Sequence, residues 1–168
     1  MTGRDLLILQ FDAIHRVIAR NIDGMTHADS LAPAAGGANT ANWILAHTVN
    51  VHNQIMEIIG GPPVWQSTDL ERAHFTRQIN DEASAIDWNT LVERFNASHQ
   101  ACLTALRALS DEALNETMPG PSGQDTTRAG LLGFLVVHQC YHAGQLGMSR
   151  RAAGKKAVIF APGQTAPI

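Results

Sequence analysis

The sequence predicts an all-α protein built on four long helices. Two observations carry that prediction. Apolar residues recur at steps of three and four in four separate segments. Alternating strand patterns are absent except from Ala157 to Ala161, a stretch too short to build a sheet alone. A third observation sets the scale: 168 residues at 45% hydrophobic content suit one domain, residues 1–168, around one core.

The first helix is expected from Arg4 to Asn21, where Leu7, Phe11, Ile14 and Ile18 share one side. It stops at Gly24, before a Pro/Gly/Ala-rich connector, SLAPAAGGANT. The second starts near Asn39 or Thr40, both good caps, and runs to Ile59, where Gly60-Gly61-Pro62-Pro63 ends it. Its length would be about 30 Å. The third runs from the N-cap Asp87 to Leu109, with Leu91, Phe95, Cys102, Leu106 and Leu109 along one side. The fourth begins after Thr126 or Thr127 and reaches Ala153, with Gly154 as its stop. The less regular stretch from Val64 to Ile86 has room for a helical turn around Leu70 to Phe75, and the connector Ser110–Asp125 for one at Asp111 to Leu114. No repeat of fixed period is present.

Charge narrows the function classes. Charged residues make up 16%, below the usual quarter, and 12 Lys plus Arg against 15 Asp plus Glu leave a net charge of −3. That balance speaks against a surface that neutralises phosphates, so no nucleic-acid partner is expected. Nowhere do about 18 apolar residues run uninterrupted, so no membrane partner is expected either. No signal-peptide core fits the N-terminus. Cys102 and Cys140 form no CxxC pair and read as two buried, reduced thiols, which points to the cytoplasm.

Histidine is the unusual feature, with eight in the chain. On the second helix the stripe Ile44, His47, Val51, Ile55 and Ile58 places His47 at a core position. His52, five residues on, is turned about 140° away and reads as a surface or flank residue. On the fourth helix the stripe Leu131, Leu135, His138, His142 and Leu146 carries two histidines one turn apart. Their spacing is that of HExxH zinc proteases, but Gln139 stands where the glutamate would be, so that class is not supported. A histidine on an apolar stripe is ordinarily a core residue with a satisfied hydrogen bond. Three of them buried in one small bundle would each need a polar partner, and a shared divalent cation meets that need with coordination positions left open. Both readings stand until geometry decides whether the three meet. His15 and His99 have places open to them on bundle faces but lack an i, i+4 partner, and His27 and His74 sit in connectors. Surface or loop is the default for all four, with His74 able to approach a site from the long connector. Cys140 lies on the far side of its helix from the histidine pair, a poor ligand or nucleophile.

The segment His138-Gln139-Cys140-Tyr141-His142-Ala143-Gly144-Gln145-Leu146, followed by Arg150 and Gly154, resembles the signature of the DinB-like superfamily. Trp43-Ile44-Leu45-Ala46-His47 is similar to that family's second helix. Two departures are Ala143, where many members carry Arg, and Cys140. The resemblance implies a four-helix bundle of up-down-down-up topology, often a homodimer, with a divalent metal held by His47, His138 and His142 and completed by water. Known relatives include S-transferases that use bacillithiol or mycothiol, and maleylpyruvate isomerase-like proteins.

Chemistry follows from the donor set. Neutral imidazoles leave a cation its full charge, enough to bring a bound water's pKa to around 7 or to hold a thiol as thiolate. Three imidazoles suit Zn, Ni, Cu or Fe, with Zn and Ni placed first. Orienting the rings requires acceptors for their other N–H groups, and Asn50, Gln54 and Gln145 are the nearby candidates. Their plain alternative is a helix-flank amide bonded to water. Tyr141 and Trp43 adjoin the ligands and line a pocket or simply pack. The function expected first is a metal-dependent enzyme that transfers a low-molecular-weight thiol to small electrophilic substrates. The alternatives are a metal-dependent hydrolase in stress response, a non-catalytic metal-binding bundle, and histidines that are purely structural.

Overall fold

The computed structural model describes residues 1–33, 38–68, 70, 79, 81–121 and 123–158. Helix α1 (Gly3–Ile22) opens on a capping box: Thr2 accepts from the Asp5 N–H while the Asp5 carboxylate accepts from the Thr2 N–H. A one-turn helix α2 (His27–Ser30) repeats the device with Thr26 and Asp29, inside a stretch read from sequence as plain connector. Helix α3 (Ala41–Ile59) is capped by Thr40 and stops at Gly60, whose φ of 86° is the left-handed conformation glycine tolerates. Helix α4 (Trp88–Ala108) starts at the Asp87 cap. The expected turn α5 (Asp111–Leu114) is present.

The sequence reading had no place for the two-stranded ribbon that follows. Strands β1 (Thr117–Pro119) and β2 (Asp125–Thr127) pair antiparallel, Thr117 opposite Thr127. Thr127 then caps helix α6 (Arg128–Ala152). Each strand has three residues, too few for a period-two pattern to register. The turn expected around Leu70 to Phe75 falls outside the described residues apart from Leu70. Of the expected tail segment, Ala157 and Val158 carry no regular structure and the rest lies outside the described residues.

Side-chain bonds between helices fix their directions. The start of α1 meets the end of α4, with Arg4 Nη1 donating to the Leu109 carbonyl at 2.6 Å. Asn42 near the start of α3 binds Ile86 just before α4, and further along His52 meets Ser98, so α3 and α4 run parallel. The end of α3 meets the start of α6, where Arg128 Nε donates to the Ile58 carbonyl at 2.9 Å. Asn21 at the end of α1 donates to the Ala143 carbonyl late in α6. The four long helices therefore run up, down, down, up, as expected. Because α3 and α4 are parallel neighbours, residues 60–87 must return the chain by about the length of a helix, ~28 Å.

Three asparagines of α3 hold that return. Asn42 binds Ile86 through both ends of its amide, at 2.8 and 3.1 Å. Asn50 donates to the Leu70 carbonyl, and Asn53 bonds Val64 and Trp65. The buried Arg150 guanidinium gathers the carbonyls of Asn21, Asp23 and Lys156, joining the ends of α1 and α6 to the tail. An arginine fork suits this task because several donors diverge from one plane.

Helix α3 sits between α4 and α6 and is buried on both sides, from Ala41 through Val49 and again at Val51, His52, Ile55 and Met56. Each fully buried aliphatic side chain there contributes roughly 1.5–3 kcal/mol. This placement corrects the reading of His52 as a surface residue. A turn of about 140° from His47 does lead off the α6 side, but it leads onto α4 and not to solvent.

Candidate metal centre

His47 reaches the α3–α6 seam from the middle of α3, and His138 and His142 reach it from consecutive turns of α6. Their rings converge. His138 Nε2 lies 3.2 Å from His142 Nε2 and 3.5 Å from His47 Nε2. One ligand atom from each falls within 4.8 Å of the others, and the three could hold a metal ion. In a tetrahedral site with metal–nitrogen bonds of 2.0–2.1 Å, ligand atoms stand about 3.3 Å apart. The 3.2 and 3.5 Å separations bracket that figure.

Ring orientation is set by neighbours. The Trp43 indole stacks on His47 at 4.8 Å with planes 8° apart. His138 and His142 meet edge to face at 4.5 Å. His142 Nδ1 lies 2.8 Å from Gln145 Oε1, an oxygen that can only accept, so Nδ1 carries the hydrogen and Nε2 presents its lone pair inward. Burial pushes the His138 pKa down and that of His142 to about 4, so both rings are neutral near pH 7, the form that ligates. One Nε2–H can bridge only two of these rings, whereas a cation between them would take a lone pair from all three at once. The chemistry of the donor set therefore fits a divalent metal.

The centre is closed on one side and open on the other. His47 and His142 are buried, whereas His138 is half-exposed beside the exposed Phe134 ring, at 6.3 Å centroid to centroid. A cleft of about 280 Å³ lies next to Phe134, lined by Gln54, Ile58, Pro119 and Leu131 among others.

The remaining sequence-stated candidates separate cleanly. Gln145 and Tyr141 lie beside His142: Gln145 Nε2 donates to Tyr141 Oη at 3.0 Å, and the Tyr141 ring packs edge-on to His142 at 5.2 Å. Gln54 faces the adjoining cleft. Asn50 commits its N–H to the connector. The expectation of two buried thiols holds only for Cys102, which burial pushes up to about 12. Cys140 is exposed, because its helix position turns it away from the seam. His74 lies outside the described residues.

Sequence reasoning missed a second histidine group on the other side of α3. His52 and His99 are buried, and His15 stacks on Phe95 at 4.6 Å and meets the His99 ring at a tilt, 3.9 Å between centroids. The signal was present: His99 fills the gap between Phe95 and Cys102 in the α4 stripe, and His15 lies between Phe11 and Ile18 on α1. Their ligand atoms do not converge as those of the first group do, and among the described residues that group alone meets the spacing for a metal.

An up-down-down-up helical bundle with three imidazoles facing one another across its central seam defines a class, that of bundles equipped to hold a metal between helices. The sequence profile of the DinB superfamily matches residues 10–146, and the chain belongs to that superfamily. A conserved protein from Enterococcus faecalis has a similar structure, with a TM-score of 0.73 at 21% identity over 92% of this chain and 99% of that one. YfiT from Bacillus subtilis, described as a probable metal-dependent hydrolase with an unusual four-helix bundle topology, gives a TM-score of 0.68 at 16% identity, over 91% of this chain and 89% of its own. At such identities the likeness concerns the fold. No curated protein matches the sequence significantly. Among the described residues, no helix is long and apolar enough to cross a membrane.

Proposed function

We propose that the protein is a metal-dependent hydrolase-type enzyme acting on a small molecule at the His47–His138–His142 centre. The observation that carries this reading is the spacing of the three Nε2 atoms beside a half-exposed His138: a ligand set with one side left to solvent. A divalent ion held there, zinc or nickel in the first instance, would supply Lewis-acid activation of water. The chain's own residues do the rest. His47 is clamped by Trp43, His142 is oriented by Gln145, and Phe134 and Tyr141 border the side from which a substrate enters. The superfamily supports this reading, as does the description of YfiT. Thiol transfer, expected first from the resemblance, draws no such support, since neither neighbouring structure is described as a transferase.

The test is elemental analysis followed by turnover. Protein purified without chelator should carry a stoichiometric divalent ion that His47→Ala, His138→Ala and His142→Ala each abolish. The zinc- or nickel-loaded protein should then hydrolyse members of a panel of chromogenic esters and amides, and lose that activity on chelation. Metal content unchanged in all three variants would sink the site. Bound metal with turnover only in a thiol-plus-electrophile assay would replace hydrolysis by transfer.

A further inference from the structure

Tyr141, His142 and Gln145 occupy one turn of α6, and a single amide joins the other two side chains. Gln145 Oε1 accepts from His142 Nδ1 at 2.8 Å, and Gln145 Nε2 donates to Tyr141 Oη at 3.0 Å. Such a chain has a polarity. In the observed sense the imidazole carries its hydrogen on Nδ1, the amide passes the donor role along, and the tyrosine oxygen accepts. The Tyr141 hydrogen is then left pointing away from Gln145, on a side chain 63% exposed. In the opposite sense Tyr141 donates to the amide oxygen, the amide NH2 donates to Nδ1, and the imidazole hydrogen moves to Nε2, where it blocks the lone pair.

We propose that Gln145 is a positioning residue that holds His142 in the Nδ1–H form and, by the same bond pattern, turns the Tyr141 hydroxyl hydrogen outward as a donor to a substrate oxygen at the open side of the centre. The proposal rests on the metal-centre reading above, because only ligation through Nε2 makes one polarity matter. It deepens that reading: a substrate fitted to the site carries an acceptor oxygen, such as a carbonyl, within reach of Tyr141. The observed sense is the one ligation needs, and the spacing supports its local origin, since Gln145 is three residues from His142 and four from Tyr141.

The test separates the positioning role from metal binding. In metal-free protein labelled with 15N-histidine, two-bond 1H–15N spectra should show His142 protonated on Nδ1 and bare on Nε2. Gln145→Leu should replace that signature by a mixture of tautomers, and Gln145→Glu, which can only accept, should restore it. Zinc titrated against a chromophoric chelator should bind Gln145→Leu about 10- to 100-fold more weakly than wild type, and Gln145→Glu at least as tightly. Tyr141→Phe should leave zinc affinity within a few-fold of wild type while lowering turnover of ester substrates. An unchanged His142 signature in Gln145→Leu overturns the positioning role, and so does an Nε2–H tautomer in the wild type. Failure of zinc to bind wild type, with the tautomer shift intact, overturns the metal reading and leaves the role of Gln145 standing. Undiminished ester turnover in Tyr141→Phe removes the donor role of the hydroxyl.

Discussion

His52 and Ser98 meet at 2.6 Å in the seam between α3 and α4. The Ser98 hydroxyl donates to the Phe95 carbonyl and so accepts from His52 Nδ1. The two side chains form the floor of a buried basin that His99 and His15 extend toward α1. Cys102 donates weakly to the His52 carbonyl, and the charged groups nearby are Asp12 and Arg16 on α1 and Arg107 on α4.

That basin makes stability fall with acidification. Burial holds His52 down at about 3 and His15 at about 4, from an ordinary value of 6.5. Above pH 6.5 folded and unfolded chains are both neutral at these sites, and the full stability is present. As pH falls from 6.5 toward those folded values, the unfolded chain binds protons that the folded one refuses, and stability is lost. Each such group tilts the curve by about 1.4 kcal/mol per pH unit. Urea denaturation at pH 7 and pH 5 should show this loss, and His52→Gln should show a shallower one. Equal slopes in the two proteins would remove His52 from the account.

Asn42 supplies the second expectation. Its amide satisfies both the N–H and the carbonyl of Ile86, all buried. Asn42→Ala leaves two buried backbone groups without partners and should cost about 2–3 kcal/mol. Asn53→Ala, whose bonds to Val64 and Trp65 are only part-buried, should cost less. Guanidinium unfolding of the two variants orders them; a larger loss for Asn53→Ala would contradict the ranking.

The third concerns Arg150. Arg150→Lys keeps the charge but offers one ammonium where a fork reached three carbonyls. A loss of about 1–3 kcal/mol is expected, with faster amide exchange confined to the ends of α1 and α6. Unchanged exchange at those ends would show that the fork is dispensable.

Helix boundaries were legible because their punctuation is local chemistry. Thr40, Asp87 and Thr127 cap the N-termini by accepting one N–H each, and Gly60 and Gly154 close helices with φ of 86° and 74°. The three histidines that converge in the α3–α6 seam were legible because each continues an apolar stripe. His52 was not, because a stripe rule assumes one buried face and α3 has two. The ribbon was hidden for a different reason: its register depends on backbone pairing between Thr117 and Thr127 across a Pro/Gly-rich turn, which leaves little trace in side-chain pattern. Family membership was legible in the spacing of the last helix together with the Trp43–His47 segment of the second.

The bond from Arg128 to the Ile58 carbonyl works as the pivot of a pair of callipers. Ile58 follows His47 by eleven residues, and His138 follows Arg128 by ten. Measured from the pivot along antiparallel helices, the two arms are about 16 Å and about 15 Å long, so their tips close on the same point. The pivot is itself braced, since Arg128 also holds the Ala113 carbonyl and Glu116. One residue inserted in either arm would swing its tip by about 100° and open the jaws. The depth at which the histidines meet is therefore gauged from the far end of the bundle.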